Sequence, residues 1–238
     1  MSSLATSHRR DCSIWLDPVP AVLRDLAAAK LAAGDVCGFL FTASNEHGLA
    51  LVAHNLRALQ TRGLYEFALL QAFIATRTNN CRWSVPVLHW LFEMADRERL
   101  RAAGGPLPGT GPFTVYRGVS GRGRARRVRG LSWTASKEKA QWFAERGAHW
   151  SLANPAVLCV VIAEGDVLAY VNDRQEEEFV ILLPSSARPA QVEKVALNNM
   201  ARFDTRWREQ IVAGSVASEP RPTLKGGALA GVTGGAVA

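Results

Sequence analysis

Arg174-Gln175-Glu176-Glu177-Glu178-Phe179-Val180-Ile181-Leu182-Leu183-Pro184 sets three carboxylates directly against five large apolar residues and a closing proline. An apolar run that is partly β-branched and aromatic, and that ends at a proline, predicts a buried strand. The acids then stand at the mouth of that strand, where they can face a cleft without being submerged. In an extended chain, side chains two apart point the same way. Glu176 and Glu178 are therefore expected on one face and Glu177 on the other. Two carboxylates converging at a strand mouth suit a reaction that develops positive charge. One can polarise a substrate while the other orients or deprotonates a nucleophile. The same acids also read as a solvated edge that discourages strand-to-strand aggregation.

Other strand-like segments surround this one. Phe113-Thr114-Val115-Tyr116-Arg117-Gly118 is a short strand ending in an arginine and a glycine. Arg122, Arg124, Arg126, Arg127 and Arg129 follow, in a loop too polar and glycine-rich to be core. Leu131-Ser132-Trp133-Thr134-Ala135-Ser136 leads into a helix from Lys137 to Arg146, with Ser136 as cap, Gly147 as stop, and Ala140, Phe143 and Ala144 as its packed face. Ala156 to Ile162, Val180 to Leu183 and Val192 to Leu197 predict further strands, and residues 198–213 a helix.

Upstream the pattern is helical. Residues 1–17 predict a loosely ordered arm, and Pro20 to Ala33 a helix stopped by Gly34. The apolar run from Val36 to Thr42 fits strand and buried helix alike. Leu49, Val52, Ala53, Leu56, Leu59, Leu64, Phe67, Leu70 and Ile74 recur at three-and-four spacing and predict two amphipathic helices broken near Gly63. Residues 84–103 predict one helix, with Ser84 as cap, Pro86 in its first turn and Gly104-Gly105 at its end. His89 within it has no second metal ligand three or four residues away.

The turn-rich segment Gly104 to Gly111 marks a change from helical to strand-like composition, so a boundary is expected there. The expected organisation is an arm over 1–17, a helical region over 18–110, a strand-rich core over 111–213 and a disordered low-complexity tail over 214–238. The fold class is α+β.

A chain of 238 residues is long enough to bury a substantial core. Its 28 Lys+Arg against 21 Asp+Glu give a formal charge of +7, which favours an acidic partner such as nucleic acid or a phosphorylated ligand. The excess is mostly arginine, the side chain suited to planar, bidentate phosphate contact. Cys12, Cys37, Cys81 and Cys159 fit neither a zinc spacing nor a disulfide scaffold, so free thiols are expected. Asp11, Asp17, Pro18 and Pro20 break the apolar run a signal peptide needs, and no stretch approaches the roughly 18 apolar residues of a membrane span. A soluble, cytoplasmic protein is expected.

In chain order, Tyr116-Arg117-Gly118, then Ser132-Trp133-Thr134 with the Ala140 and Phe143-Ala144 helix behind it, then Glu176-x-Glu178 running into aliphatics and Pro184, resemble the mono-ADP-ribosyltransferases of the arginine–serine–glutamate class. The resemblance covers about residues 113–197 and leaves the helical region unmatched. It implies a split β-sandwich catalytic core of a toxin-like enzyme that uses NAD as co-substrate and passes ADP-ribose to a macromolecular acceptor. It implies that Arg117 grips phosphate, and that Gly118 lets the backbone approach the nicotinamide carboxamide. Ser132 would steady the glutamate, with Thr134 beside it in the NAD-binding strand. Glu178 would hydrogen-bond the ribose and stabilise the oxocarbenium-like centre, while Glu176 addresses the acceptor and Tyr170 to Gln175 form a recognition loop. Glu-x-Glu is the pattern associated with protein arginine acceptors, and a nucleic-acid acceptor stays open given the basic loop 122–129. A toxin-like member would also be met by a neutralising partner protein.

Two departures from the family pattern matter. Trp133 stands where a small hydroxyl residue is usual; it packs if it points away from the site and narrows the pocket if it points in. Five apolar residues rather than about three separate Glu178 from Pro184, which leaves a rival register with Glu177 catalytic and Gln175 its partner. Two other functions compete: an NAD glycohydrolase, in which water replaces the acceptor, and a non-enzymatic basic nucleic-acid-binding protein. The arginines are accompanied by no aromatic platform or named nucleic-acid motif that would favour the latter.

Overall fold

The computed structural model describes residues 13–76, 82–149, 153–173 and 175–195. Among these, eight α-helices and one antiparallel six-stranded sheet give an α+β architecture. The helices are α1 (Arg24–Ala32), α2 (Val36–Phe41), α3 (Gly48–His54), α4 (Leu56–Thr61), α5 (Tyr65–Ala75), α6 (Val85–Glu93), α7 (Arg97–Ala103) and α8 (Lys137–His149). The strands are β1 (Phe113–Val119), β2 (Ser132–Thr134), β3 (Ala156–Ile162), β4 (Val167–Val171), β5 (Glu178–Ile181) and β6 (Ala190–Lys194), in the spatial order β4-β5-β2-β1-β3-β6. All six described strands belong to this one sheet, whereas the family resemblance leads one to expect a split sandwich.

Capping side chains decide several elements that apolar pattern alone does not. The Val36 run is helical because the Asp35 carboxylate accepts the Gly38 N–H at 2.8 Å, satisfying a first-turn donor that a strand would not present. The expected single helix over 84–103 is two, because Asp96 adopts an extended backbone and caps α7 through the Arg99 N–H at 2.9 Å. Ser84 and Pro86 do start α6 as expected. The two helices expected over 45–80 are three, with the chain turning at Asn55 as well as near Gly63.

Asn55 is almost fully buried, and its side chain binds the Trp15 N–H, the Trp15 carbonyl and the Leu51 carbonyl, each at 2.8 Å. Trp15 also stacks on His54 with ring centroids 3.9 Å apart. The described end of the expected loose arm, residues 13–17, is therefore docked on the helices; residues 1–12 lie outside the described residues. Helix α8 does not stop at Gly147 but runs on to His149. Strand β6 lies at Ala190–Lys194, two residues earlier than expected. The expected helix over 198–213 and tail over 214–238 lie outside the described residues. Of the four cysteines, Cys37 and Cys159 fall among the described residues and are free thiols.

The two faces of the sheet are covered differently. By strand register Tyr116, Gly118, Thr134, Glu178 and Val180 share one face, and Val115, Arg117, Trp133 and Phe179 share the other. On the first face, Ala140 and Ala144 of α8 pack on Val157 and Tyr116. Further along that face Leu131, Ala169 and Val180 join the helical core of Leu31, Phe39, Leu69, Phe92 and Leu100. The core therefore crosses the turn-rich 104–111 segment, and the Gly105 N–H bonds the Tyr170 carbonyl of β4 at 2.7 Å. The second face closes on its own apolar cluster, in which Trp133, Phe179, Val115, Leu158 and Ile181 meet the loop residues Leu107 and Val128.

Candidate functional site

Two separate helical covers on one sheet face leave a cleft between them. Its floor is built by register: Thr134 on β2 lies opposite Tyr116 on β1 and opposite Glu178 on β5, so the three side chains form a row across adjacent strands. Phe143, Arg146 and Gly147 of α8 form one wall. Phe73 and Ile74 of α5, with Trp83 and Pro86 at the start of α6, form another. The arginine loop closes an end. The cavity measures ≈ 1090 Å³, just above the range of about 300–1,000 Å³ usual for small-molecule sites.

The acidic segment takes a different shape from the one its sequence predicts. Glu178 is the first residue of β5 and is buried, but Gln175 and Glu177 have left-handed backbones, with φ of 56° and 49°. Simple alternation therefore fails ahead of Glu178. The Thr134 hydroxyl donates to the Glu176 carbonyl at 2.7 Å, and the Ala135 N–H to the Glu177 carbonyl at 3.3 Å. The Glu177 N–H bonds the Asn172 side chain at 3.1 Å, and the Glu177 carboxylate pairs with Lys139 at 3.3 Å. These contacts turn Glu177 toward α8, while Glu176 and Glu178 border the cavity. Tyr170, expected in a loop ahead of the acids, instead belongs to β4 and packs on Phe179 with centroids 4.9 Å apart. The described residues that join β4 to β5 are 172, 173 and 175–177.

Arg117 lies on the opposite sheet face and is nearly fully buried, yet it borders the cavity. Its Nε donates to the Arg127 carbonyl at 3.3 Å and its Nη1 to the Ser132 carbonyl. Burial, reinforced by the neighbouring Arg127, brings its pKa down to about 10, with Glu178 pulling the other way. The fork expected for phosphate is thus partly engaged in clamping β1, the arginine loop and β2 together. Ser132 lies opposite Val180, so the residue directly across from Glu178 is Thr134 rather than Ser132.

Gly118 has a reason to be glycine that involves no ligand: a Cβ there would stand 2.0 Å from the Ala140 carbonyl oxygen and 2.5 Å from the Ala144 nitrogen of α8. Trp133 packs into the second-face core, with its indole N–H on the Gly130 carbonyl at 2.9 Å. Like Arg117 it belongs to that face and still borders the cavity.

The arginine loop is largely tied down. Arg129 donates to the carbonyls of Leu183, Pro184 and Ala187 beyond β5, at 2.6, 2.8 and 3.3 Å. Arg127 reaches the Trp83 carbonyl at 3.0 Å, and Arg126 the Gln191 side chain at 2.8 Å. His89 bonds the Arg129 carbonyl at 3.0 Å, which requires the proton on its Nε2. Arg122 and Arg124 are exposed.

Sequence reasoning missed Gly130, where a Cβ would stand 2.3 Å from Arg117 Nη2, so a side chain there would displace the buried guanidinium. It also missed the contribution of α5 and α6, whose apolar periodicity reads as core. Among the described residues no group of three His, Cys, Asp or Glu side chains is placed to hold a metal, and no helix is long and apolar enough to cross a membrane. Compared with protein-family models, with curated proteins and with solved structures, the chain finds no match.

Proposed function

We propose that the chain is an NAD-dependent mono-ADP-ribosyltransferase of the arginine–serine–glutamate class, with a macromolecular acceptor and protein arginine as the favoured target. The observation that carries this reading is the convergence of Glu176 and Glu178 on a cleft bordered also by Arg117, Ser132 and Thr134. NAD has an anionic pyrophosphate, a cationic nicotinamide ribose and two planar bases. A cleft bordered by arginines, paired carboxylates and an apolar wall suits each part.

In the proposed reaction the bond between ribose C1′ and the nicotinamide nitrogen breaks, and nicotinamide leaves with the bonding pair. Glu178 faces the positive charge that develops at C1′ and hydrogen-bonds the ribose hydroxyl. Glu176 orients the acceptor nucleophile and takes the proton it loses as its new bond to C1′ forms. Water in the acceptor's place gives the glycohydrolase outcome. The binding-protein alternative loses support from Arg129, whose guanidinium is held on three backbone carbonyls. Acceptor docking falls instead to the exposed Arg122 and Arg124.

The test is incubation of the protein with labelled NAD and a cell lysate, followed by protease or nuclease digestion of the labelled product. Protease-sensitive label is expected. Glu178→Gln should slow nicotinamide release by about 10²–10³-fold with the fold unchanged, and Glu177→Gln should be nearly neutral. An active Glu178→Gln beside an inactive Glu177→Gln would move catalysis to the rival register. Absence of NAD consumption by the unmodified protein, with tight nucleic-acid binding, would replace the enzyme with a binding module.

A further inference from the structure

We propose that the helical wall of the cleft, centred on Trp83, is a base-binding subsite that takes the adenine of an adenosine diphosphate group whose phosphates lie against the arginine loop. This rests on reading the cleft as an NAD site, and it gives the helical region a role in that site.

Trp83 is half-buried, packs on the helical core, and borders the cleft beside Phe73, Ile74 and Pro86. A purine offers two flat, weakly polar faces, and stacking on an aromatic ring beside a guanidinium is how proteins commonly hold one next to phosphate. Trp83 stands beside such a group, because Arg127 donates to its carbonyl at 3.0 Å. The contacts then run in sequence. Arg127 receives Arg117 on its own carbonyl, Arg117 reaches Ser132, and two residues further along β2 Thr134 lies opposite Glu178. Aromatic wall, guanidinium cluster and carboxylates thus border one cleft, and they are the three kinds of group that adenine, pyrophosphate and nicotinamide ribose call for.

The test compares a bare diphosphate, an adenine diphosphate nucleotide and a nicotinamide monophosphate nucleotide. Binding of pyrophosphate, ADP and nicotinamide mononucleotide to the full chain is measured by calorimetry for the unmodified protein, Trp83→Ala and Trp83→Phe. ADP should bind the unmodified protein at least about tenfold more tightly than pyrophosphate, a stacking gain typical of one base. Trp83→Ala should lose that margin while binding pyrophosphate normally, and Trp83→Phe should keep most of it. The pyrophosphate arm separates a lost subsite from a lost fold, since misfolding weakens all three ligands and Trp83→Phe then decides. Equal ADP affinity in all three proteins overturns the proposal, as does a Trp83 dependence confined to nicotinamide mononucleotide. If ADP binding depends on Trp83 but NAD is never consumed, the subsite stands and the transferase reading fails. If NAD is consumed with an unchanged KM in Trp83→Ala, the transferase reading stands and the subsite fails.

Discussion

Gly118→Ala should be among the most damaging single-methyl additions in this protein. The added Cβ would lie 2.0 Å from the Ala140 carbonyl oxygen, 2.5 Å from the Ala144 nitrogen and 3.0 Å from the Phe143 Cβ. Two of these neighbours are helix backbone, so no side-chain rotation relieves the contact. Helix α8 would have to move by about 1.4 Å to bring the 2.0 Å approach out to the 3.4 Å where ordinary van der Waals contact begins. That movement opens the packing of Ala140 and Ala144, both fully buried, against Val157 and Tyr116. Overpacking of buried sites costs about 1–3 kcal/mol, and a backbone clash belongs at the top of that range. For a chain of this size, about 3 kcal/mol corresponds to a fall in Tm of about 6–12 °C. Differential scanning calorimetry would measure it, with Gly165→Ala as control, since nothing stands within 4 Å of a Cβ there. A Gly118→Ala protein melting within about 2 °C of the parent would refute the packing argument. Gly118 would then have to be explained by what approaches it from the cleft.

The other predictions concern the loops. Arg129→Ser strips a charged donor from three carbonyls and should cost about 2–3 kcal/mol in denaturant unfolding, whereas exposed Arg124→Ser should stay within about 0.5 kcal/mol. Thr134→Val removes the hydroxyl that holds the Glu176 carbonyl; it should cost about 1–2 kcal/mol and reduce transfer to the acceptor more than hydrolysis of NAD. The Asp35 carboxyl is held below its ordinary 3.8, first by its hydrogen bond from Lys30 and then by the Gly38 N–H. Its stabilising effect is therefore complete above the ordinary value and is lost as pH falls through and below it. The stability difference between the parent and Asp35→Asn should shrink between about pH 5 and about pH 3; a difference that stays flat across that window would remove the linkage.

What the sequence made legible depended on how local the determining contact was. Strand β3 coincides with the Ala156-to-Ile162 run because seven consecutive apolar residues admit little else. Strand β4 is readable in Val167-Leu168-Ala169-Tyr170-Val171, a β-branched and aromatic run, although the family resemblance places a recognition loop from Tyr170 onward. Ser136 was legible as a cap, and it does accept the Lys139 N–H at 3.2 Å. The pairing of Glu176 with Glu178 at the cleft was also expected, though for a reason that does not operate. Two left-handed residues and the Thr134 bond, not strand alternation, bring them together. The clamping partners of the arginines were beyond reach. Arg127 and Trp83 are 44 residues apart, and Arg129 and Leu183 are 54 apart, and each partner is a backbone carbonyl, which no side-chain pattern encodes.

The shared packing of helices and sheet bears on how this protein can be divided. Leu131, Leu168, Ala169 and Val180 belong to one apolar cluster whose other buried members all lie in segments that precede residue 104. A fragment beginning at the turn-rich stretch would present those four side chains to water, and the preceding fragment would present Leu69, Phe92 and Leu100. Neither half is expected to be a transferable module, because the two share this packing. A protease cut within Gly104 to Gly111 should instead give two pieces that remain associated and separate only in denaturant, a nicked but still assembled whole.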